Sequence, residues 1–249
     1  MKDFEELVAD AWQAPFSGWD FSWLKDREQS DPPGWDYRAL AMARMGAVQS
    51  VLDMDTGGGE VFSNMGPFPA QTFASEGYAP NAAIAQTRLE PLGIRLMQVE
   101  RNDQLPFSDE QLELVLNRHG SYSPGELWRV LKPGGRLLTQ QVGGTNQMRL
   151  NQLLQEKPVH PYGYWTLDYA RQQLETAGFQ ILDAREEFPE TRFFDIGAVV
   201  YYLKAIPWQI EGFEPAQYLP RLAQIDEMIR RDGKLVTQQH RFLIEARKN

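Results

Sequence analysis

The sequence predicts an α/β fold with a mostly parallel sheet flanked by helices, and three observations carry that prediction. Short apolar runs alternate with segments of helical character, the pattern of strands joined by right-handed crossovers. One run, Val-Leu-Asp-Met-Asp-Thr-Gly-Gly-Gly-Glu over residues 51–60, passes through an acid into three consecutive glycines just before a segment that can be helical. Glycine serves there because a side chain would block a backbone turn that must approach a nucleotide-like ligand closely. The third observation is Glu76, at the tip of the next apolar run and about 20 residues past the first glycine, placed to accept hydrogen bonds from ribose hydroxyls.

The elements follow in order. Ala70–Ser75 reads as the second strand and ends at Glu76. Pro80–Leu89 reads as a helix, with Pro80 suited to a first helical turn. Ile94–Val99 is the third strand; Leu105-Pro106-Phe107-Ser108-Asp109 is a turn, and Leu112–Leu116 the fourth strand. A helix around Glu126–Leu131 closes on Lys132-Pro133-Gly134-Gly135, where proline followed by glycine suits the central positions of a type II turn. Arg136–Val142 is the fifth strand. A nicotinamide or flavin fingerprint requires a further glycine three residues after the second; counted from Gly57 and Gly59, that place holds Phe62, so the fingerprint fails.

This order resembles the class I S-adenosylmethionine-dependent methyltransferases, in particular the small-molecule type similar to methyltransferase type 11. The match is carried by Val51–Glu60, Glu76, Leu105–Phe107 with Leu112–Leu116, and Leu131–Gly135, and is continued by a helix over Leu167–Gly178 and a strand over Phe179–Glu187. The resemblance implies a Rossmann-like, mostly parallel seven-stranded sheet flanked by helices, its last strand, Arg241–Ala246, running antiparallel. The methyltransferase domain is then expected over 47–249, preceded by a helical N-terminal cap or lid over 1–46 and interrupted before its last strand by an insertion over 195–233, a substrate cap.

What the resemblance implies for the site is S-adenosylmethionine as cofactor, with S-adenosylhomocysteine as product. Asp53, Gly57 and Gly59 fall to the methionine moiety and Glu76 to the ribose. Members of the family place an acid or amide a few residues before Leu-Pro-Phe for the adenine; Glu100, Arg101, Asn102 and Asp103 compete here, with Glu100 and Asn102 favoured. Asn117 and Arg118 follow the fourth strand and are expected beside the cofactor. The chain departs from the family pattern at Asp55, where glycine is usual. Aspartate tolerates left-handed backbone angles, so the turn survives. Its carboxylate would lie near the methionine end, accepting from an ammonium or repelling a carboxylate. Two readings stay open: Asp55 points to solvent and binding persists, or the chain is a catalytically degenerate cofactor-binding or scaffold protein of the same fold.

A methyl group on a sulfonium is electrophilic, so transfer is an in-line displacement by oxygen, nitrogen or carbon, and the protein contributes orientation and proton removal. His119 is the leading candidate base, just past the fourth strand at the carboxyl edge of the sheet, since an unperturbed imidazole titrates near pH 6.5. Shaping the methionine pocket or capping the next helix is the competing role for His119, and Tyr122 is a possible assistant. His160, beside Pro161, Tyr162 and Tyr164, reads as a substrate-entrance or loop residue, and His240 as structural. No set of acids and imidazoles suggests a metal.

Composition narrows the chemistry. With no cysteine, disulfides, cysteine-bound iron–sulfur clusters, thiolate zinc sites and a cysteine nucleophile are excluded. A net charge of −9 opposes a polyanionic partner, so nucleic acid is not expected. Arg221, Arg230, Arg231, Lys234 and Arg241 read as a solvated face rather than a binding patch. At 42% hydrophobic residues a buried core is expected, no apolar run reaches bilayer length, and the acidic start does not resemble a signal peptide; a cytoplasmic protein acting on a small molecule is the expectation. Within 1–46, helices over Phe4–Trp12 and Tyr37–Met45 flank a segment in which Trp19-Asp20-Phe21-Ser22-Trp23 alternates aromatic and polar residues, as a lid or as a cover for the sheet edge. The insertion carries Tyr201, Tyr202, Trp208, Phe213 and Tyr218, suited to a small core or a pocket for a flat or apolar substrate, and its 198–206 stretch is ambiguous between helix and strand.

Overall fold

The computed structural model describes residues 2–16 and 20–249; Trp19 of the alternating aromatic segment lies outside the described residues. In chain order the helices are α1 (Phe4–Gln13), α2 (Tyr37–Met45), α3 (Ala79–Leu89), α4 (Pro124–Val130), α5 (Met148–Leu154), α6 (Leu167–Thr176), α7 (Ile196–Ala205) and α8 (Pro215–Asp232). The strands are β1 (Glu28–Ser30), β2 (Ser50–Met54), β3 (Gln71–Glu76), β4 (Arg95–Gln98), β5 (Leu112–Arg118), β6 (Leu131–Val142), β7 (Phe179–Glu187), β8 (Glu190–Phe193), β9 (Leu235–Gln238) and β10 (Arg241–Lys248). They form two compact units, one from residues 34–143, 165–186 and 241–249, the other from 1–33, 144–164 and 187–240.

The first unit is built on a seven-stranded sheet of order β4-β3-β2-β5-β6-β10-β7. The pairs β3–β4, β2–β3, β2–β5 and β5–β6 are parallel, and β10 runs antiparallel to β6. Its central strands β2 and β5 are buried on both sides, as expected when helices cover both faces, whereas the edge strands β4 and β7 are largely exposed. Val51, Leu114, Leu116, Leu138 and Leu243 pack with Tyr37, Ala41 and Met45 of α2 and Ala85 and Leu89 of α3. Leu52, Val115, Leu137, Phe242 and Ile244 belong to a separate cluster with Leu127 of α4 and Ala170 and Leu174 of α6. Alternate residues along one strand thus enter different cores, which fixes the register. Among the buried charged residues of this sheet, Glu245 is gripped by Arg44 at 2.7 and 2.8 Å and by Arg136 at 2.7 Å.

Reversal of the sheet order between β2 and β5 brings the ends of these two strands to a switch point, where α/β sheets place their ligands. Asp36 caps α2 by accepting the Ala39 N–H at 3.0 Å, and Ser123 caps α4. The Lys132–Gly135 turn lies inside β6, which begins at Leu131 rather than Arg136. Leu112 pairs with Leu131 and Leu114 already with Arg136, so the turn is a bulge, with Gly134 at φ +78°.

The second unit holds an antiparallel three-stranded sheet, β1-β8-β9, and α1, α5, α7 and α8. Its core joins Val8 and Ala11 of α1, Leu150 and Leu154 of α5, Val199, Val200 and Leu203 of α7, and Leu222 and Ile225 of α8. The ambiguous 198–206 stretch is helical: Asp195 caps α7 by accepting the Ala198 N–H at 2.9 Å. The aromatics of 195–233 contribute to this core through Tyr201 and Phe213, both buried. The structure divides the chain differently from the linear boundary at 46/47. Tyr37, Ala41 and Met45 stand four residues apart on one face of α2 and pack in the seven-stranded unit, while residues 144–164 join the other.

Candidate functional site

The segment between β2 and β3 is shaped by three left-handed residues, Asp55 at φ +52°, Gly57 at +64° and Gly59 at +76°. A residue with a Cβ at the Gly57 backbone angles costs about 1–2 kcal/mol. The Thr56 N–H donates to the Ser75 carbonyl at 2.9 Å and ties the loop to β3. Glu76 finishes the job from the tip of that strand. One carboxylate oxygen accepts the Gly57 N–H at 2.8 Å and the other accepts the Tyr78 N–H at 2.8 Å. The acid therefore organises the glycine turn as well as standing at the strand tip, and it keeps lone pairs for a ligand. Arg88, unforeseen in the sequence, donates to the Gly58 carbonyl.

Asp55 does not point to solvent. Its carboxylate is half-buried and accepts from Asn102 Nδ2 at 2.7 Å; the same amide nitrogen also donates to the Ser121 carbonyl at 3.0 Å. Burial pushes the Asp55 carboxyl up, with the Asn102 hydrogen bond opposing. Gly120 is needed because a Cβ there would run into that carboxylate and would lie 2.9 Å from Asn117 Nδ2. Asn117 is fully buried at the end of β5, its Oδ1 accepting from Thr139 Oγ1 at 3.0 Å and Gln141 Nε2 at 2.6 Å. Of the two adenine candidates, Asn102 is brought to the glycine loop through Asp55, whereas Glu100 is exposed on the segment after β4.

Asp53, buried at the end of β2, has its carboxyl pushed up to about 7 by burial, against the opposing charge of Arg118. Between its ordinary value of 3.8 and 7 the folded chain keeps a proton that the unfolded chain releases, so stability falls as pH rises through that window. Asp53→Asn removes the ionisable group. Between pH 5 and pH 8 the unfolding free energy from urea titration is expected to fall more for the native chain than for the variant, by on the order of 2 kcal/mol; parallel pH profiles would refute this.

His119 takes φ +68° beyond β5, with its N–H donating to the Gln140 carbonyl at 2.8 Å. Its Nε2 lies 3.0 Å from Gln140 Nε2, and Gln140 Oε1 accepts from Trp35 Nε1 at 2.8 Å. Desolvation and the neighbouring charges of Arg118 and Arg241 hold the imidazole well below the usual histidine range. His119 is therefore a neutral ring at neutral pH, with its Nε2 engaged by Gln140. The Tyr122 hydroxyl is buried, which raises it above the tyrosine range and keeps it protonated; its ring packs against Trp165 at 5.8 Å between centroids.

The remaining candidates lie in the second unit. His240 is buried, its Nδ1 2.7 Å from Thr145 Oγ1 and its ring 4.8 Å from that of Phe188. His160 accepts the Gly163 N–H on its carbonyl at 2.9 Å, and Tyr162 and Tyr164 are exposed. Among the described residues no group of acids and imidazoles could hold a metal ion, and no helix is long and apolar enough to cross a membrane.

Buried polar atoms are nearly always paired, so unpaired ones call for an explanation. At the carboxyl ends of β2–β5 the unpaired buried polar atoms among the described residues include Thr56 Oγ1, Ser75 Oγ, Asn102 Oδ1, Asn117 Nδ2 and Tyr122 OH. Together with the Glu76 carboxylate they offer donors and acceptors for a polar ligand carrying hydroxyl and amine groups, and a nucleoside with an amino-acid arm fits that donor set.

No family model matches the chain. It is 30% identical over 122 residues to protein-L-isoaspartate O-methyltransferase of Brucella anthropi, covering 46% of this chain and 54% of that relative. It is 31% identical over 115 residues to demethylmenaquinone methyltransferase of Thermus thermophilus, covering 42% and 52%. The chain thus spans about half the length of the curated relatives it matches. Among solved structures, a Bacillus halodurans protein suggested to be a methyltransferase superposes with a TM-score of 0.61 at 21% identity, over 85% of this chain and 98% of that one.

Proposed function

We propose that this chain, whose fold is that of the class I methyltransferases, transfers a methyl group from S-adenosylmethionine to a small-molecule acceptor. The observation that carries the reading is the constellation at the switch point. A glycine turn is held open by a buried acid, and unpaired buried polar atoms lie at the same strand ends. When bound, S-adenosylmethionine supplies a sulfonium methyl as the electrophile. Glu76 would hold the ribose, Asp53, Gly57 and Gly59 the methionine arm, and Asn102 the adenine side, with Asn117 presenting Nδ2 beside them. The neutral His119 and the protonated Tyr122 serve as hydrogen-bonding groups that orient the acceptor, so the acceptor nucleophile is one that needs little help in losing its proton.

A second reading is favoured by Asp55, whose carboxylate is bonded across to Asn102 at the mouth of the turn. A ligand must displace or share that bond, and a protein in which it persists binds no cofactor. Isothermal titration calorimetry with S-adenosylmethionine and S-adenosylhomocysteine decides. Micromolar binding by the native chain is the expected result. Absence of binding, restored in Asp55→Gly, would establish the degenerate site instead, and absence in both would reject the cofactor assignment.

A further inference from the structure

Gln140 sits near the end of β6 with its side-chain amide between two rings. Trp35 Nε1 can only donate, so the amide oxygen must face it, at 2.8 Å. The NH2 end then faces His119, with the two nitrogens 3.0 Å apart. An amide N–H donates, so His119 Nε2 must offer its lone pair, and the proton of the neutral ring sits on Nδ1. The hydrogen bonds of His119 within the described protein run only through its backbone N–H and Nε2, which leaves the Nδ1–H unused on an exposed residue. Its neighbour Arg118 is also exposed, and its guanidinium has no hydrogen bond or ion pair among the described residues. Asp53 lies within reach of the Arg118 charge, but burial favours its neutral form.

We propose that the Arg118 guanidinium and the Nδ1–H of His119 form a carboxylate-binding subsite for the methyl acceptor, with Gln140 and Trp35 as positioning residues that hold the imidazole as a donor. A guanidinium fork and a neutral N–H form a donor array that suits a carboxylate. They carry one positive charge, which balances a carboxylate and leaves a phosphate dianion half compensated. That the carboxylate belongs to the acceptor rests on the methyl-transfer reading; the subsite itself does not.

Imidazole-15N histidine labelling of the full chain tests this, since the sequence contains only 3 histidines. Long-range 1H–15N spectra are expected to show His119 protonated on Nδ1, and Gln140→Glu is expected to move the proton to Nε2, because a carboxylate accepts from both rings. A native His119 protonated on Nε2 overturns the proposal whether or not the variant folds. Benzoate, with neutral benzamide as the control, is the ligand probe. Benzoate is expected to shift the His119 nitrogens where benzamide does not, and Arg118→Gln to weaken benzoate binding about 10-fold. Equal responses to the two probes, or unaltered benzoate binding in Arg118→Gln, refute the subsite. Saturating S-adenosylhomocysteine is expected to leave benzoate bound. Competition between them would transfer the carboxylate site to the cofactor and overturn the acceptor assignment. A chain that binds benzoate but no S-adenosylhomocysteine at all would refute the methyl-transfer reading while leaving the subsite standing.

Discussion

Glu76→Ala is expected to weaken binding of S-adenosylhomocysteine by about 100-fold or more, the largest effect of any single substitution at the site. The carboxylate is 7% exposed and accepts two backbone N–H groups, those of Gly57 and Tyr78. Hydrogen bonds to a charged group are each worth about 1.5–3 kcal/mol, and a buried donor left unpaired incurs its full desolvation cost. Alanine therefore removes the ribose acceptor and releases the glycine turn from β3 at once. Glu76→Gln retains one oxygen but turns an NH2 toward one of the two donors, so it is expected to fall between alanine and the native chain. Calorimetry on the three proteins checks the order; native-like affinity in Glu76→Ala would remove Glu76 from the site.

Phe242→Ala is expected to cost about 3–5 kcal/mol of stability in the seven-stranded unit. Phe242 is fully buried on β10, the strand between β6 and β7, and its ring centroid lies 5.8 Å from that of Trp165. Alanine removes the buried ring and leaves a cavity among apolar neighbours, so the loss combines transfer and cavity terms. Leu182→Ala on β7 provides the contrast, because that side chain is 38% exposed and its loss is expected to stay well below half the Phe242 effect. Urea unfolding followed through tryptophan fluorescence measures both. A Phe242→Ala cost under about 1 kcal/mol would mean that the strand is not packed as described.

The seven-stranded sheet was legible because its local chemistry leaves few alternatives. The glycine run demands positive φ, Pro80 opens a helix, and Pro133-Gly134 makes a turn whose glycine takes φ +78°. Other elements left no such trace. In α7 residues 196–201, 203 and 205 are all buried, so the helix has no polar face and its period cannot be read. The strands β1, β8 and β9 are three or four residues long, too short to show alternation, and Glu28-Gln29-Ser30 carries no apolar residue at all. Candidate ligands at strand ends could be named from position alone. Their partners could not: Trp35 and Gln140 are separated by 105 residues, and a glutamine in a strand reads as solvent-facing until the ring opposite it is known. The surroundings of His119 are likewise only partly legible: Arg118 adjoins it in sequence, but the charge of Arg241 comes from a distant segment.

The position of β10 also governs the order in which the chain can assemble. Although β7 is made earlier, among the described residues its one neighbour in the sheet is β10. While a ribosome is still producing residues 187–240, β6 therefore offers an unpaired edge and β7 has no place to dock. An open, apolar strand edge on a nascent chain invites pairing with another copy. Residues 241–248 close the β6 edge and give β7 its neighbour in the sheet in one step.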